Sequence, residues 1–142
     1  MTYRTLLRRD FKALADIRAA EAAALLRSRK NLGAFYLAGY AVECAFKACI
    51  AKRTRRYQFP PPQSETKNIY THDLTKLVKQ AGLENQLNKD IQNNPAFGTN
   101  WIVVSGSWNE STRYATTGLN GKDLLAAIVG PDGVLPWIKK HW

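Results

Sequence analysis

The chain has 142 residues, 45% of them hydrophobic and 11% aromatic, which suffices for one domain with a sizeable core and excludes a need for disulfide bonds. The net charge is +10, and residues 1–56 contribute +9 of it through 13 Lys and Arg against 4 Asp and Glu. The first residues lack the apolar core of a secretory signal, and the longest apolar run, Ala34 to Val42, is too short to cross a bilayer. We therefore expect a cytoplasmic protein without membrane contact.

The first predicted helix extends from about Asp10 to Lys30 and is rich in alanine. A short break at residues 31–33 joins it to a second helix from Gly33 to Arg53. The apolar stretch of this second helix contains only two charged residues, Glu43 and Lys47. A helix that is apolar almost all round belongs in the middle of a bundle, so we predict that it is the central helix of the domain.

The two cysteines, Cys44 and Cys49, lie on this helix. Five residues turn a helix by about 140°, so the two thiols point to different faces and are unable to pair. We predict two free, buried thiols in a reducing compartment.

Residues 55–70 contain Pro60-Pro61-Pro62 and polar neighbours, which predict an exposed connection. A third helix is predicted to begin near Thr71 and to end at Gly82, because glycine is the usual residue just beyond a helix C-terminus. Another short helix is predicted over Leu83–Gln92.

The β-branched run Trp101 to Val104 fits either a strand or a helix face. We favour a helix, because the chain has no second strand with which this run would pair. Asn120 is suited to cap a helix over Lys122–Val129. Residues 130–133 then turn the chain into a last segment, Val134 to His141. These elements predict an all-α fold in one domain, residues 1–142.

Glu43 and Lys47 are spaced for an ion pair, with the glutamate on the favourable N-terminal side. Tyr36 and Tyr40 lie on the same helical stripe, so the four residues predict a polar seam inside the bundle. In one interpretation the pair satisfies itself and fixes the helix register. In the other, the seam holds a ligand phosphate or orients a catalytic partner.

His72 and Asp73 stand at a helix start, where backbone amides are suited to bind an anion. In the alternative, Thr71 or His72 caps the helix and the charge of Asp73 favours its positive end. Arg113 either pairs with Glu43 and closes the seam or binds a phosphate with two hydrogen bonds. Asp73 and Tyr114 are predicted as further members of the seam. The candidate catalytic residues are therefore His72 together with Glu43, Lys47 and Arg113.

The uneven charge of the chain suggests a polyanionic partner such as RNA or DNA. The candidate nucleic-acid contacts are Lys52, Arg53, Arg55 and Arg56, which follow the second helix. The alternative is that these cations keep the protein soluble and satisfy carbonyl groups at a helix end.

Metal binding has little support in the sequence. The two histidines, His72 and His141, lie far apart, and the two cysteines face different ways, so they do not form a ligand set. The chain also lacks a glycine loop for phosphates and a nucleophile-elbow motif. We predict no metal and no cofactor.

The chain resembles the HEPN-domain family. The resemblance lies in the central-helix run Tyr36-Leu-Ala-Gly-Tyr-Ala-Val-Glu-Cys-Ala-Phe-Lys-Ala48, in His72-Asp-Leu74, in the Trp108 to Tyr114 segment, and in the closing run from Gly133 to Trp142. It implies an up-and-down bundle of four to five helices, often paired as a homodimer. It also implies RNA- and nucleotide-related functions, including toxin ribonucleases, partners of minimal nucleotidyltransferases, and non-catalytic RNA-binding proteins.

The ribonuclease branch of that family carries an arginine, four to six residues and then a histidine. His141 would need the arginine at positions 134–136, which are Val, Leu and Pro, and His72 would need it at positions 65–67, which are Glu, Thr and Lys. Lys67 has the right spacing but lacks a planar guanidinium. The family's catalytic residues therefore do not carry over.

The leading hypothesis is a dimeric, non-catalytic module that binds RNA or a nucleotide, or an antitoxin or nucleotidyltransferase partner. The alternative is a divergent ribonuclease or nucleotide-acting enzyme that uses His72 with Glu43, Lys47 and Arg113.

Overall fold

The computed structural model describes residues 6–57 and 71–142, without the side chains of residues 54–57. Every regular element in these two ranges is helical, which confirms the all-α class. Seven are α-helices and one is a 3-10 helix: α1 (Arg8–Arg27), α2 (Asn31–Tyr57), α3 (Leu74–Gln80), α4 (Glu84–Asn93), α5 (Pro95–Ser107), the 3-10 helix η1 (Glu110–Tyr114), α6 (Gly121–Val129) and α7 (Val134–Lys139). The expected number of four to five helices was too low, because the back half of the chain is divided into short helices.

The two long helices, α1 and α2, form a hairpin at the front of the chain. The break between them lies at residues 28–30 rather than at the predicted residues 31–33. Arg29 adopts a left-handed backbone conformation (φ 60°), and the amide of Lys30 donates to the carbonyl of Leu25 at 2.7 Å, so α1 is closed before Asn31. Asn31 begins α2 and accepts a hydrogen bond from the amide of Gly121, which ties the hairpin to α6.

Helix α2 is the centre of the fold, as its apolar composition predicted. It packs against α1, α3, α6, α7 and η1. Its segment Asn31–Arg53 is long and apolar enough to cross a membrane by length and composition alone, a test that the core helix of a folded domain also passes. The apolar run that we considered from the sequence, Ala34–Val42, is shorter than this segment because it stops at Glu43. Glu43 and Lys47 pair with each other within the helix, so the apolar segment continues beyond them.

Helix α2 continues to Tyr57, so the connection predicted from residue 55 begins later than expected. Its proline run, Pro60-Pro61-Pro62, lies outside the described residues.

Short-range signals set the boundaries of the back half. Gly82 follows α3 with a φ of 73°, and the amide of Leu83 donates back to the carbonyl of Val78 at 3.0 Å, as expected for a glycine stop. Asn94 caps α5, with Pro95 in its first turn, and Asn120 caps α6. The ambiguous run from Trp101 to Val104 lies inside α5, so the helical prediction is confirmed.

The core forms where the back-half helices cover α2. Phe46 of α2 meets the edge of Trp101, with ring centroids 6.0 Å apart, and Phe97 stacks on Trp137 at 5.2 Å. Cys44 and Cys49 are buried and free, as predicted. Burial raises the pKa of each thiol to about 11.

Candidate functional site

Glu43 is the buried charged residue of the described core, with a relative exposure of 1%. Nδ1 of His72 donates to Oε1 of its carboxylate at 2.8 Å, and Nζ of Lys47 donates to Oε2 at 3.1 Å. Each oxygen therefore has a cationic or polar donor, as the burial of a carboxylate requires. The spacing of Glu43 and Lys47 predicted their pair, and the structure adds His72 from a distant part of the sequence.

His72 lies just before α3, where the chain leaves the connection and Asp73 caps the helix. Its side chain is 44% exposed, and its second ring nitrogen, Nε2, lies 3.4 Å from Oε2 of Glu110 at the start of η1. A neutral imidazole has one N–H and donates to only one of these two carboxylates, whereas an imidazolium donates to both. We call Glu43, Lys47, His72 and Glu110 the carboxylate–histidine cluster.

An aromatic stack borders this cluster and consists of Tyr36, Tyr40 and Trp108. The two tyrosine rings are nearly parallel, 4° apart in orientation, with centroids separated by 6.2 Å. Trp108 lies 6.0 Å from the ring of Tyr36, and its indole N–H donates to the carbonyl of Tyr36 at 3.1 Å. Gly39 makes this contact possible, because a Cβ at that position would lie 2.2 Å from the indole ring.

Two arginines, Arg18 and Arg113, lie close to tyrosines of the aromatic stack. The guanidinium of Arg18 on α1 lies 5.9 Å from the ring centroid of Tyr40, and it also pairs with Glu21. Hydrogen bonding to Glu21 raises the pKa of Arg18, so this side chain stays charged. Sequence reasoning missed Arg18, because the register of α1 against α2 sets this contact and no short-range pattern reports it.

Arg113 lies on η1 beside the same stack, and not on Glu43 as one prediction had it. The side chains that donate to the oxygens of Glu43 in the structure are those of His72 and Lys47. Arg113 instead lies over the ring of Tyr114, 4.8 Å from its centroid. Hydrogen bonding to the Tyr114 and Tyr36 hydroxyls raises the pKa of Arg113.

Two predicted members of the polar seam lie outside it. Asp73 caps α3: its carboxylate accepts from the amide of Thr75 at 2.9 Å and from the amide of Lys76 at 3.4 Å. Hydrogen bonding, led by the Thr75 hydroxyl, lowers the pKa of Asp73. Tyr114 is 73% exposed and contacts Arg113 rather than Glu43. The cap of α3 is therefore Asp73 itself, and not Thr71 or His72 as predicted.

The four predicted nucleic-acid contacts differ in position. Nη1 of Arg53 donates to the carbonyl of Gln80 at 3.1 Å, so this exposed guanidinium covers the C-terminus of α3. Lys52 is half-buried. The side chains of Arg55 and Arg56 lie outside the described residues.

His141 has different neighbours from His72: its ring packs against Trp137, with ring centroids 4.9 Å apart. Burial lowers the pKa of His141. Within residues 6–53 and 71–142, no group of three His, Cys, Asp or Glu side chains is arranged to hold a metal ion.

The chemistry of the site follows from the unequal burial of its two carboxylates. Glu43 is buried and fixes the orientation of the His72 ring, while Glu110 is exposed on the other side of that ring. An imidazole held in this way is able to bind an anion or to exchange a proton with a ligand at Nε2. Comparison with protein-family models, with curated proteins and with solved structures finds no match for this chain.

Proposed function

We propose that the chain is a HEPN-like module that binds RNA or a nucleotide ligand, acts as a non-catalytic homodimer in the cytoplasm, and belongs to a toxin–antitoxin or nucleotidyltransferase-partner system. The observation that carries the proposal is the stacked pair of Tyr36 and Tyr40 with an arginine near each tyrosine, Arg18 at Tyr40 and Arg113 at Tyr36. Proteins that bind single-stranded nucleic acid combine aromatic rings, on which bases stack, with cations that contact the backbone.

The distribution of charge supports the same ligand class. Residues 1–56 carry +9, and Arg9, Arg27, Arg29 and Lys30 of the front hairpin are exposed. A positive surface of this kind attracts a polyanion over distances longer than direct contact. Binding through it releases counterions and therefore weakens steeply as salt is added.

The test is fluorescence anisotropy with a short single-stranded oligoribonucleotide over a series of salt concentrations. We expect the logarithm of the association constant to fall linearly with the logarithm of the salt concentration. Arg113→Gln should lower that slope by about one if its guanidinium contacts a phosphate. Lys122→Gln is the matched control, since Lys122 is an exposed cation on α6. An absence of binding at low salt would contradict the proposal.

A second function, ribonuclease activity, is favoured by one specific contact. The 2.8 Å hydrogen bond from Nδ1 of His72 to Glu43 orients the ring and leaves Nε2 on the exposed side, which is the arrangement of a general acid or base. Lys47 pairs with Glu43, and Arg113, the fourth catalytic candidate, lies on η1 beside Tyr114 of the same helix and Tyr36 of α2. We place this function second because the chain lacks the arginine–histidine motif of the ribonuclease branch.

The two functions differ in what the histidine does. If the protein is a ribonuclease, His72→Gln, which keeps an N–H donor for the buried Glu43 but removes the imidazole, abolishes RNA degradation and cell toxicity. If the protein only binds RNA, the purified wild type leaves RNA intact and His72→Gln weakens RNA binding. Co-expression with the products of adjacent genes tests for an antitoxin or nucleotidyltransferase partner.

A further inference from the structure

We propose that Glu110 occupies the place of a ligand phosphate at Nε2 of His72, so that a phosphate group binds His72 and Arg113 when Glu110 moves aside. This inference rests on the proposed function and assigns the anion subsite within it. The structure shows one carboxylate on each side of the imidazole ring, and the two are held very differently.

The inner carboxylate is a permanent part of the fold. Glu43 is buried to 2% side-chain exposure, and both of its oxygens accept hydrogen bonds, from His72 at 2.8 Å and from Lys47 at 3.1 Å. Moving it away would leave a buried charge without partners, which is costly. Glu43 therefore holds the ring in one orientation whatever lies on the other side.

The outer carboxylate is held weakly. Glu110 is 53% exposed, and its contact with Nε2 of His72 measures 3.4 Å. Exposed pairs of this length contribute little to stability, so the side chain rotates away at little cost. Its backbone, by contrast, is fixed, because Asn109 caps η1 by accepting from the amide of Ser111 at 2.9 Å. Glu110 can leave the ring while η1 keeps its place.

The charges around the ring favour a phosphate in the outer position. Lys47 neutralises Glu43, so an imidazolium at position 72 keeps one positive charge for an anion at Nε2. Arg113 follows Glu110 by three residues on η1, and residues with this spacing in a 3-10 helix lie on the same side. A phosphate at Nε2 of His72 has further oxygen atoms that accept hydrogen bonds from the Arg113 guanidinium. The Glu110 carboxylate does not bridge the two groups in this way, because it belongs to the same short helix as Arg113.

The aromatic stack gives the subsite a neighbour suited to a nucleotide base, because Tyr36 contacts Arg113 and stacks on Tyr40. A ligand phosphate at His72 and Arg113 therefore places an attached base beside these two rings. In this scheme the Glu110 carboxylate competes with ligand anions for Nε2 of His72, so that anions of low affinity do not displace it.

The experiment measures the ring of His72 by nuclear magnetic resonance while inorganic phosphate is added in mildly acidic buffer. Glu110→Gln keeps the size of the side chain and removes its charge. We expect it to bind phosphate at least about threefold more tightly than the wild type, the factor that an exposed ion pair is worth. Glu84→Gln is the matched control, since it removes one exposed negative charge on α4. It should leave the affinity almost unchanged.

A second pair of variants assigns the effect to the histidine. In a His72→Gln background, where the backbone amide signals of η1 replace the imidazole ring as the reporter of phosphate binding, Glu110→Gln and Glu84→Gln should have the same small effect on phosphate affinity. Equal affinities of the two glutamine variants in the wild-type background would overturn the inference, as would weaker binding by Glu110→Gln.

The oligoribonucleotide measurement separates this inference from the proposed function. RNA binding by the wild type without a Glu110 effect on phosphate would remove the inference and leave the function. A Glu110 effect on phosphate without RNA binding would keep the anion subsite and remove the function.

Discussion

At the scale of single residues, the fold must provide hydrogen-bond donors for one buried carboxylate, that of Glu43. Glu43 lies in an otherwise apolar helix, and the fold supplies it with one donor from its own helix and one from the residue before α3. The first partner follows from helical spacing, which the sequence displays. The second joins positions that are 29 residues apart, so it depends on how α3 packs against α2.

The buried thiols give a residue-scale prediction. Burial raises the pKa of Cys44 and of Cys49 to about 11, and the charge on Glu43 contributes at Cys44. Because the thiolate is the reactive form, both cysteines should resist an aromatic disulfide reagent at mildly alkaline pH in the folded protein. Both should react quickly in denaturant. Stoichiometric reaction of the native protein would contradict this.

At the scale of helices, capping residues decide where the short elements begin. Asp73, Asn94, Asn109 and Asn120 each accept a hydrogen bond from an amide in the first turn that follows them. The sequence predicted the cap at Asn120, because asparagine carries its own short-range signal. It placed the cap of α3 at Thr71 or His72, one or two residues too early, and gave Asp73 only a charge interaction with the helix end.

Asp73→Ala should destabilise the protein by about 1 kcal/mol at neutral pH, the usual cost of losing a cap. The hydrogen bonds to Thr75 and Lys76 lower the pKa of Asp73, so this contribution is complete above the ordinary carboxyl pKa and is lost as the pH falls through the lowered value. Denaturant unfolding at neutral and acidic pH measures both effects.

Asp73→Asn is the control for this prediction. Asparagine is also a good capping residue but does not titrate, so this variant should stay close to the wild type at neutral pH. A difference between Asp73→Ala and the wild type that remains constant into strongly acidic solution would contradict the assigned role of the carboxylate.

Two glycines in helices provide a matched prediction about packing. Gly39→Ala places a methyl group 2.2 Å from the indole of Trp108 and should cost about 1–3 kcal/mol as the stack is displaced. Gly106→Ala meets nothing within 4 Å and should stabilise α5 by about 0.5–1 kcal/mol. Thermal unfolding of both variants tests the pair, and similar effects of the two substitutions would contradict it.

At the scale of the whole molecule, the candidate site lies where the front hairpin meets the back half. Helix α2 contributes Glu43, Lys47 and the two tyrosines, while the back half contributes His72 and η1. The proposed homodimer is a property of this scale, and light scattering should give twice the mass of the chain. A monomer at every concentration would contradict the dimer and would leave the site within one chain.

The sequence was informative about the class of fold and about the central helix, since both follow from hydrophobic spacing that is visible in α2. It located Tyr36, Tyr40, Glu43 and Lys47 on one stripe for the same reason. It did not place Glu110 at His72, because that contact joins two exposed side chains through the packing of η1.

The number of helices follows from the segment-by-segment prediction, which gave six helices and a last segment, whereas the family resemblance implied four to five. Several of the back-half helices have ten residues or fewer, which is too short for the apolar period alone to fix their boundaries. Their boundaries come from caps, and only some of these were recognised. Of the two roles predicted for Arg113, pairing with Glu43 is not the one that the structure has, because the packing of α3 on α2 brings His72 to Glu43 instead. The other role, binding a phosphate, stays a prediction.

The close approach of Gly39 and Trp108 has an evolutionary consequence. The indole occupies the space that any side chain at position 39 would need, so the two positions share one volume. A related sequence that carries alanine or serine at position 39 should carry a residue smaller than tryptophan at position 108. A larger residue at one of these positions, which are 69 residues apart, should therefore occur with a smaller residue at the other. Such paired changes would identify relatives that keep this packing even where their sequences are too divergent for a motif to align.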